Sequence, residues 1–144
     1  MTPLLDVNLL VALTDPYHAH AALAHEWLAQ RRETIWATCA VVLNGAVRVL
    51  GHPRFGGDLG TIASAVERLG KTLRQSRPVV WSGDLTMLDE GVFRPEKIPG
   101  PKLVTDVYLL GLAVRNNGCL ATFDRNIPLA AVVGAEPQHL EIVG

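Results

Sequence analysis

The chain has no surplus of positive charge: 13 Lys and Arg stand against 14 Asp and Glu in 144 residues, a formal net charge of −1. A protein that coats nucleic acid unselectively must neutralise many phosphates at once, so that class is excluded, although a local basic patch is not. Cysteine is scarce, with only Cys39 and Cys119, neither in a CxxC spacing nor near a histidine at ligand distance. This excludes a disulfide framework and a thiolate zinc site, and predicts two buried, reduced thiols in a cytoplasmic protein. No apolar run approaches the roughly 20 residues of a bilayer span. No basic segment followed by an apolar leader opens the chain, so a soluble protein with no membrane partner is expected. Signatures of nucleotide binding and nucleophilic catalysis are also missing: there is no GxSxG, no GxGxxG and no Gly-x4-Gly-Lys-Ser/Thr loop.

What is there fits one domain spanning residues 1–144. A chain of this length buries about 68–70% of its unfolded surface without cross-links. The apolar fraction of 49% and mean hydropathy of +0.22 are high for that size. Excess apolar surface of this kind is commonly covered by a partner, so a homo-oligomer is expected.

Apolar runs alternate with helical patterns along the chain. Residues 3–6 read as a short buried strand, and Val7 to Leu13 as a brief helix that Asp15-Pro16 breaks. Ala22, Leu23, Trp27 and Leu28 recur at helical spacing between His18 and Arg32, and Thr34 to Ala37 is β-rich. Thr38 is placed to cap a helix running to Leu50, with Val42, Ala46 and Val49 as its apolar stripe. Gly51-His52-Pro53 stops that helix, and Arg54-Phe55-Gly56-Gly57 reads as a loop. A helix over Thr61 to Arg74 would bury Ile62, Val66, Leu69 and Leu73, and Val79-Val80-Trp81 forms the third strand. Ser82 to Gly100 is loop-rich, with a short helix expected near Leu85 to Leu88. Thr105 or Asp106 caps a helix with Leu109, Leu110, Ala113 and Val114 toward the core, and Asn117-Gly118 ends it. Cys119 to Phe123 and Leu140 to Val143 read as further strands. Strands separated by helices imply right-handed βαβ units and a parallel α/β sheet of four to five strands, with helices on both faces.

Three carboxylates stand at places where such a sheet presents chemistry. Asp6 interrupts an apolar run at a strand end, a costly position for a charge unless it is paired, bound to metal, or capping the helix from Val7. Asp124 follows the fourth strand, where turn formation is the plainer explanation, and Asp106 sits at a helix start that attracts Asp in any case. At about 5 Å and an effective dielectric of about 20, each pair would repel by about 3 kcal/mol. Such a cluster raises a carboxylate pKa or binds a cation, and all-oxygen ligands suit Mg²⁺ or Mn²⁺ rather than Zn²⁺. A metal so held can orient a phosphodiester and activate water, which makes phosphodiester hydrolysis the natural chemistry. Arg48, Arg54 and Arg125 are candidate contacts to a nucleic-acid backbone, with Lys102 and Arg115 as further cations. His18, His20 and His25 lack the i, i+4 spacing of a helical zinc pair and read as surface residues. Trp27, Trp36 and Trp81 read as core aromatics.

Four stretches in order carry a resemblance: Leu4-Leu5-Asp6-Val7-Asn8-Leu9-Leu10; Ala37-Thr38-Cys39 with Asn44-Gly45-Ala46-Val47-Arg48-Val49-Leu50; Val104-Thr105-Asp106-Val107-Tyr108-Leu109-Leu110; and Leu120-Ala121-Thr122-Phe123-Asp124-Arg125. In these the chain resembles the PIN-domain ribonucleases, specifically the VapC toxins of bacterial toxin–antitoxin pairs. The resemblance implies a three-layer α/β/α PIN fold, a homodimer, Mg²⁺- or Mn²⁺-dependent endonucleolytic cleavage of RNA, and neutralisation by a VapB-type antitoxin. It implies Asp6, Asp106 and Asp124 as metal-binding and catalytic acids, with Asn8, Asn44 and Thr122 as supporting residues or candidate ligands.

One position departs from the pattern. Many PIN nucleases carry another acid on the helix after the second strand, where this chain has Leu43 followed by Asn44. An amide oxygen can ligate a hard cation but adds no charge. A degenerate PIN domain that binds antitoxin or RNA without cutting is therefore the alternative. A Mg²⁺-dependent phosphatase of the haloacid-dehalogenase type is a weaker one, because it would want an acid where Asn8 stands.

Overall fold

The computed structural model describes residues 1–31, 35–55 and 59–144. The expectations for Arg32, Thr34, Gly56 and Gly57 lie outside the described residues. The elements run β1 (Pro3–Leu5), α1 (Val7–Thr14), α2 (Ala21–Ala29), β2 (Ala37–Thr38), α3 (Ala40–Leu50), α4 (Ile62–Ser76), β3 (Val79–Val80), α5 (Val104–Arg115), β4 (Cys119–Thr122) and β5 (Leu140–Ile142). The five strands form one sheet in the order β3-β2-β1-β4-β5, and every pairing is parallel. This is the parallel α/β architecture expected.

Strand order and handedness decide where the helices go. From β1 to β2 to β3 the chain steps outward in one direction, so right-handed crossovers put α1 to α4 on one face. Between β3 and β4 it crosses back past β1, which sends α5 to the opposite face. α5 is buried almost all round, through Val107, Leu109, Leu110, Gly111, Leu112 and Ala113. The reversal makes the carboxyl ends of β1 and β4 a topological switch point, where α/β sheets leave a crevice. Leu5 pairs with Ala121 there, and the Asp6 N–H donates to the Ala121 carbonyl at 3.0 Å.

Close backbone approach is built in at Gly118. A Cβ on it would lie 2.4 Å from the Thr2 carbonyl oxygen and 2.6 Å from Trp81 Cη2, so only glycine lets α5 turn this tightly into β4. On the other side of the molecule Glu141 of β5 ties down α2. It accepts from Trp27 Nε1 at 2.8 Å and from Arg31 Nη1 at 2.9 Å, with the Arg31 guanidinium 5.1 Å over the Trp27 ring. Cys39 and Cys119 are free and buried, and burial followed by the Glu141 charge pushes the Cys119 thiol up to about 11. Such a thiol is inert, as the cysteine spacing predicts.

Several local expectations are corrected. Thr38 does not cap α3: it is drawn into β2, where its carbonyl accepts from Trp81 N–H at 2.9 Å, and Cys39 takes the cap position without a side-chain bond. The stripe of α3 is Val42, Ala46 and Leu50, with Val49 only half-buried. On α4 the buried residues are Ala65 and Leu69, whereas Ile62 and Val66 are 57% and 54% exposed. Small Ala65 lets α4 close on its neighbours, which rotates the larger residues outward. The second helix begins at Ala21 rather than His18, whose N–H is used in a turn to Asp15. No helix forms over Leu85 to Leu88; the Asp89 carboxylate accepts from Thr86 N–H at 2.7 Å and closes a turn instead. No helix among the described residues is long and apolar enough to cross a membrane.

Candidate active site

Asp6 holds two positions at once. It follows β1 directly, and it is the N-cap of α1, its Oδ1 accepting from Leu9 N–H at 2.8 Å. The two readings of this residue are therefore compatible: the cap turns the carboxylate across the mouth of the crevice. Its other oxygen, Oδ2, accepts from the Thr122 hydroxyl, the last residue of β4. The Thr122 oxygen in turn accepts from Asp124 N–H at 3.0 Å. One fully buried hydroxyl thus links the Asp6 carboxylate, just past β1, to the Asp124 backbone, just past β4. The Asp124 carboxylate is steadied by Asn126 N–H at 2.8 Å.

Asp106 arrives from the opposite face of the sheet. It does not cap α5, and neither does Thr105: the helix begins at Val104, continuing the 3-10 turn Pro101–Leu103, and Leu103 occupies the cap position without a side-chain bond. Asp106 is left in the first helical turn with its carboxylate bonded to no backbone group among the described residues. A loop that feeds α5 through a 3-10 turn moves the helix start upstream, which the capping preference of Asp alone does not foresee.

Electrostatics joins the three. Burial pushes Asp6 above its ordinary value of 3.8, with the Asp124 charge adding to it and the Thr122 and Leu9 hydrogen bonds opposing. Asp106 is raised to about 6, first by burial and then by the charges of Asp6 and Asp124. These carboxylates repel one another across the crevice, although among the described residues no three His, Cys, Asp or Glu side chains are grouped closely enough to hold a metal ion as they stand. The donors are oxygen only, mutually repulsive and partly desolvated, which is the chemistry that accepts a hard divalent cation.

A pH effect follows from Asp106. Its carboxyl titrates near 6 in the folded chain against 3.8 for the ordinary group, so the folded state holds the proton more tightly. The associated stability is fully present below pH 3.8 and is lost as pH rises through about 6. Metal-free protein should accordingly gain melting temperature between pH 7 and pH 5 from this site. Thermal melts of Asp106→Asn at the two pH values check it: the variant should show a smaller gain, and an equal gain would remove Asp106 as the source.

The supporting residues are spread more widely. Asn8 is exposed on the first turn of α1, and its backbone N–H adds a small favourable influence on the Asp6 charge. Asn44 is exposed on α3 beside Gly45, where a Cβ would meet Val7 Cγ2 at 2.7 Å, so this part of α3 runs close to the residue after Asp6. Leu43 is half-buried and packs against the core. Arg48 lies exposed in the last turn of α3 and Arg54 in the loop beyond it. Arg125 follows Asp124, but its guanidinium donates to the Gly144 carbonyl at 2.8 Å. Arg115 lies at the far end of α5, 3.9 Å from Asp84. His20 and His25 are exposed, as expected, yet the His20 ring packs 5.0 Å from Phe123, next to Asp124. Spacing along the chain carried no signal for that contact, nor for Asn126.

No family model matches the chain. Among individual proteins, Ribonuclease VapC44 of Mycobacterium tuberculosis is 41% identical over 140 residues, covering 97% of this chain and 98% of that one. Ribonuclease VapC39 of the same organism is 32% identical over 134 residues, covering 93% and 96%. The crystal structure of Mycobacterium tuberculosis VapC20, described as a sarcin-ricin loop cleaving toxin, superimposes with a TM-score of 0.58 at 17% identity, covering 94% of this chain and 100% of that one. The last likeness is one of fold. The identity to VapC44, sustained over nearly the full length of both chains, makes this chain a member of the VapC ribonuclease family.

Proposed function

We propose that the protein is a metal-dependent endoribonuclease, the toxin of a type II toxin–antitoxin pair, and that it hydrolyses RNA phosphodiester bonds in the crevice bounded by Asp6, Asp106 and Asp124. The observation that carries this reading is the delivery of three acids to one switch point by β1, α5 and the turn after β4, near enough that the Asp6 and Asp124 charges add to the burial that raises Asp106. Asp6, Asp106 and Asp124 would hold Mg²⁺ or Mn²⁺, with Asn8 and Asn44 as neutral oxygen donors within the same region. Bound there, the ion supplies charge stabilisation to the phosphate oxygens and a more acidic water.

The chain's own residues do the rest. Thr122 holds the Asp6 carboxylate and the Asp124 backbone, and Asn126 N–H holds the Asp124 carboxylate, so both acids are positioned before the strand arrives. Arg48 and Arg54 have no carboxylate partner among the described residues and can meet backbone phosphates. Arg125 must first leave the Gly144 carbonyl. An RNA loop with unstacked bases is the substrate class to test first, because such strands expose both bases and backbone. The protein acts in the cytoplasm as a homodimer and is silenced by a VapB-type antitoxin; the exposed Ile62, Val66, Val79 and Val80 support a partner-covered surface.

The test uses the purified full chain with structured RNA and Mg²⁺ or Mn²⁺, beside an EDTA control. Discrete internal cuts that need the metal support the reading, and cuts that persist in EDTA overturn the metal role. Binding without cutting would favour the second reading, a non-cutting PIN domain, for which Leu43 in place of an acid is the specific observation. Leu43→Glu should tighten Mn²⁺ binding about tenfold by calorimetric titration, because the number of charged ligands tunes affinity for hard cations. Unchanged affinity would show that position 43 does not face the metal.

A further inference from the structure

A cavity of about 500 Å³ opens directly beside Asp124, lined by Pro99, Gly100, Pro101, Lys102, Leu103 and Asn126. Its two walls are continuous with the acidic crevice. One is the 3-10 turn that runs straight into α5 and so to Asp106; the other is the turn after β4 that carries Asp124. We propose that this cavity is a nucleotide subsite, which seats the nucleotide next to the scissile phosphate and reads its base. The inference rests on the ribonuclease reading and adds to it the part of the strand that is held.

Shape and chemistry both fit a nucleotide. The volume lies within the range of small-molecule sites. Pro99 and Pro101 offer compact apolar rings on a backbone whose φ is preset, so a base can lie against them without ordering the loop. Lys102 is exposed and has no carboxylate partner among the described residues, which leaves its charge for a phosphate. Asn126 is held by its backbone N–H on the Asp124 carboxylate, while its side-chain amide has no hydrogen-bond partner among the described residues. An amide carries both a donor and an acceptor, as base-edge recognition requires. The apolar walls and the single cation favour a base with its phosphate over a second metal ion.

Gly100 supplies a clean probe. Its backbone is fully extended, at φ −178° and ψ 173°, and a Cβ there would meet nothing within 4 Å. Gly100→Leu therefore adds a bulky side chain at the cavity wall without straining the chain. Two measurements are made on the full chain, with thermal melts confirming that each variant folds. The first is metal-free binding of a fluorescein-labelled six-nucleotide single-stranded RNA, in EDTA. The second is the position-resolved cleavage profile of a randomised RNA pool with Mn²⁺.

Gly100→Leu should weaken oligonucleotide binding by about tenfold. Lys102→Ala should weaken it for every sequence and lower the salt slope by about 0.7, one phosphate contact on a single strand. Asn126→Ala should flatten base preference at one position beside the cut and leave the other positions as they are. Wild-type binding by Gly100→Leu overturns the subsite, and an unchanged Asn126→Ala profile overturns base reading by that residue. Should no protein cut the pool, the ribonuclease reading fails, and the metal-free binding arm still decides whether the cavity takes RNA. If Gly100→Leu does not fold, the Lys102→Ala salt slope decides it.

Discussion

Asp6→Asn should lower metal-dependent RNA cleavage by at least about 100-fold while leaving the fold intact. The asparagine oxygen can still accept from Leu9 N–H, so the cap on α1 survives. What disappears is the negative charge where β1 and β4 open, together with the carboxylate that takes the Thr122 hydroxyl. Since burial penalises the ionised Asp6 side chain, the variant should melt no lower than the native chain in the absence of metal. Single-turnover cleavage at saturating Mn²⁺ and a thermal melt together check the two halves. Cutting at the native rate would move the catalytic centre away from Asp6.

Leu120→Ala is expected to cost about 2–5 kcal/mol of stability. Leu120 is fully buried in β4, paired with Leu4 on one side and Leu140 on the other, so the truncation opens a cavity on one face of a central strand whose backbone pairing on both edges keeps it from collapsing. Against a typical net stability of about 5–15 kcal/mol, that is a large fraction. Leu88→Ala is the control. Leu88 is 89% exposed in a turn, and its loss should stay within about 0.5 kcal/mol. Urea denaturation at constant slope measures both, and equal midpoint shifts would contradict this placement of the core.

The two results also separate chemistry from architecture. Burial opposes the Asp6 charge and the role proposed for it lies in the reaction, whereas Leu120 is a core residue of β4 and matters for folding. Strain of this first kind is what active sites impose on a scaffold.

Much was legible along the chain because strands and helices leave periodic signals. β1, β4 and β5 were readable as short apolar runs, and the Asp after β1 and the Asp after β4 as interruptions of them. The family resemblance, carried by four ordered stretches, agrees with the parallel α/β fold and with the VapC ribonucleases of similar sequence. Misplaced details share one cause. Thr38 favours a helix cap by local chemistry, but pairing with its neighbours pulled it into the sheet; Ile62 and Val66 are apolar, but the closer approach allowed by Ala65 turned them outward. Local preferences of well under a few kcal/mol yield to packing.

By itself, then, the sequence determined the layer type, the parallel sheet, the buried inert thiols and the identity of three suspicious acids, since each follows from pattern or composition within a short window. Only the tertiary structure decided that Thr122 links Asp6 to Asp124, that Asp106 enters from the other face with its carboxylate unbonded to the backbone, and that Arg125 is engaged at Gly144. Those relations join residues up to 116 positions apart. No periodicity encodes them, because they arise from the crossover that reverses strand order at β1 and β4 and brings distant chain ends to one edge.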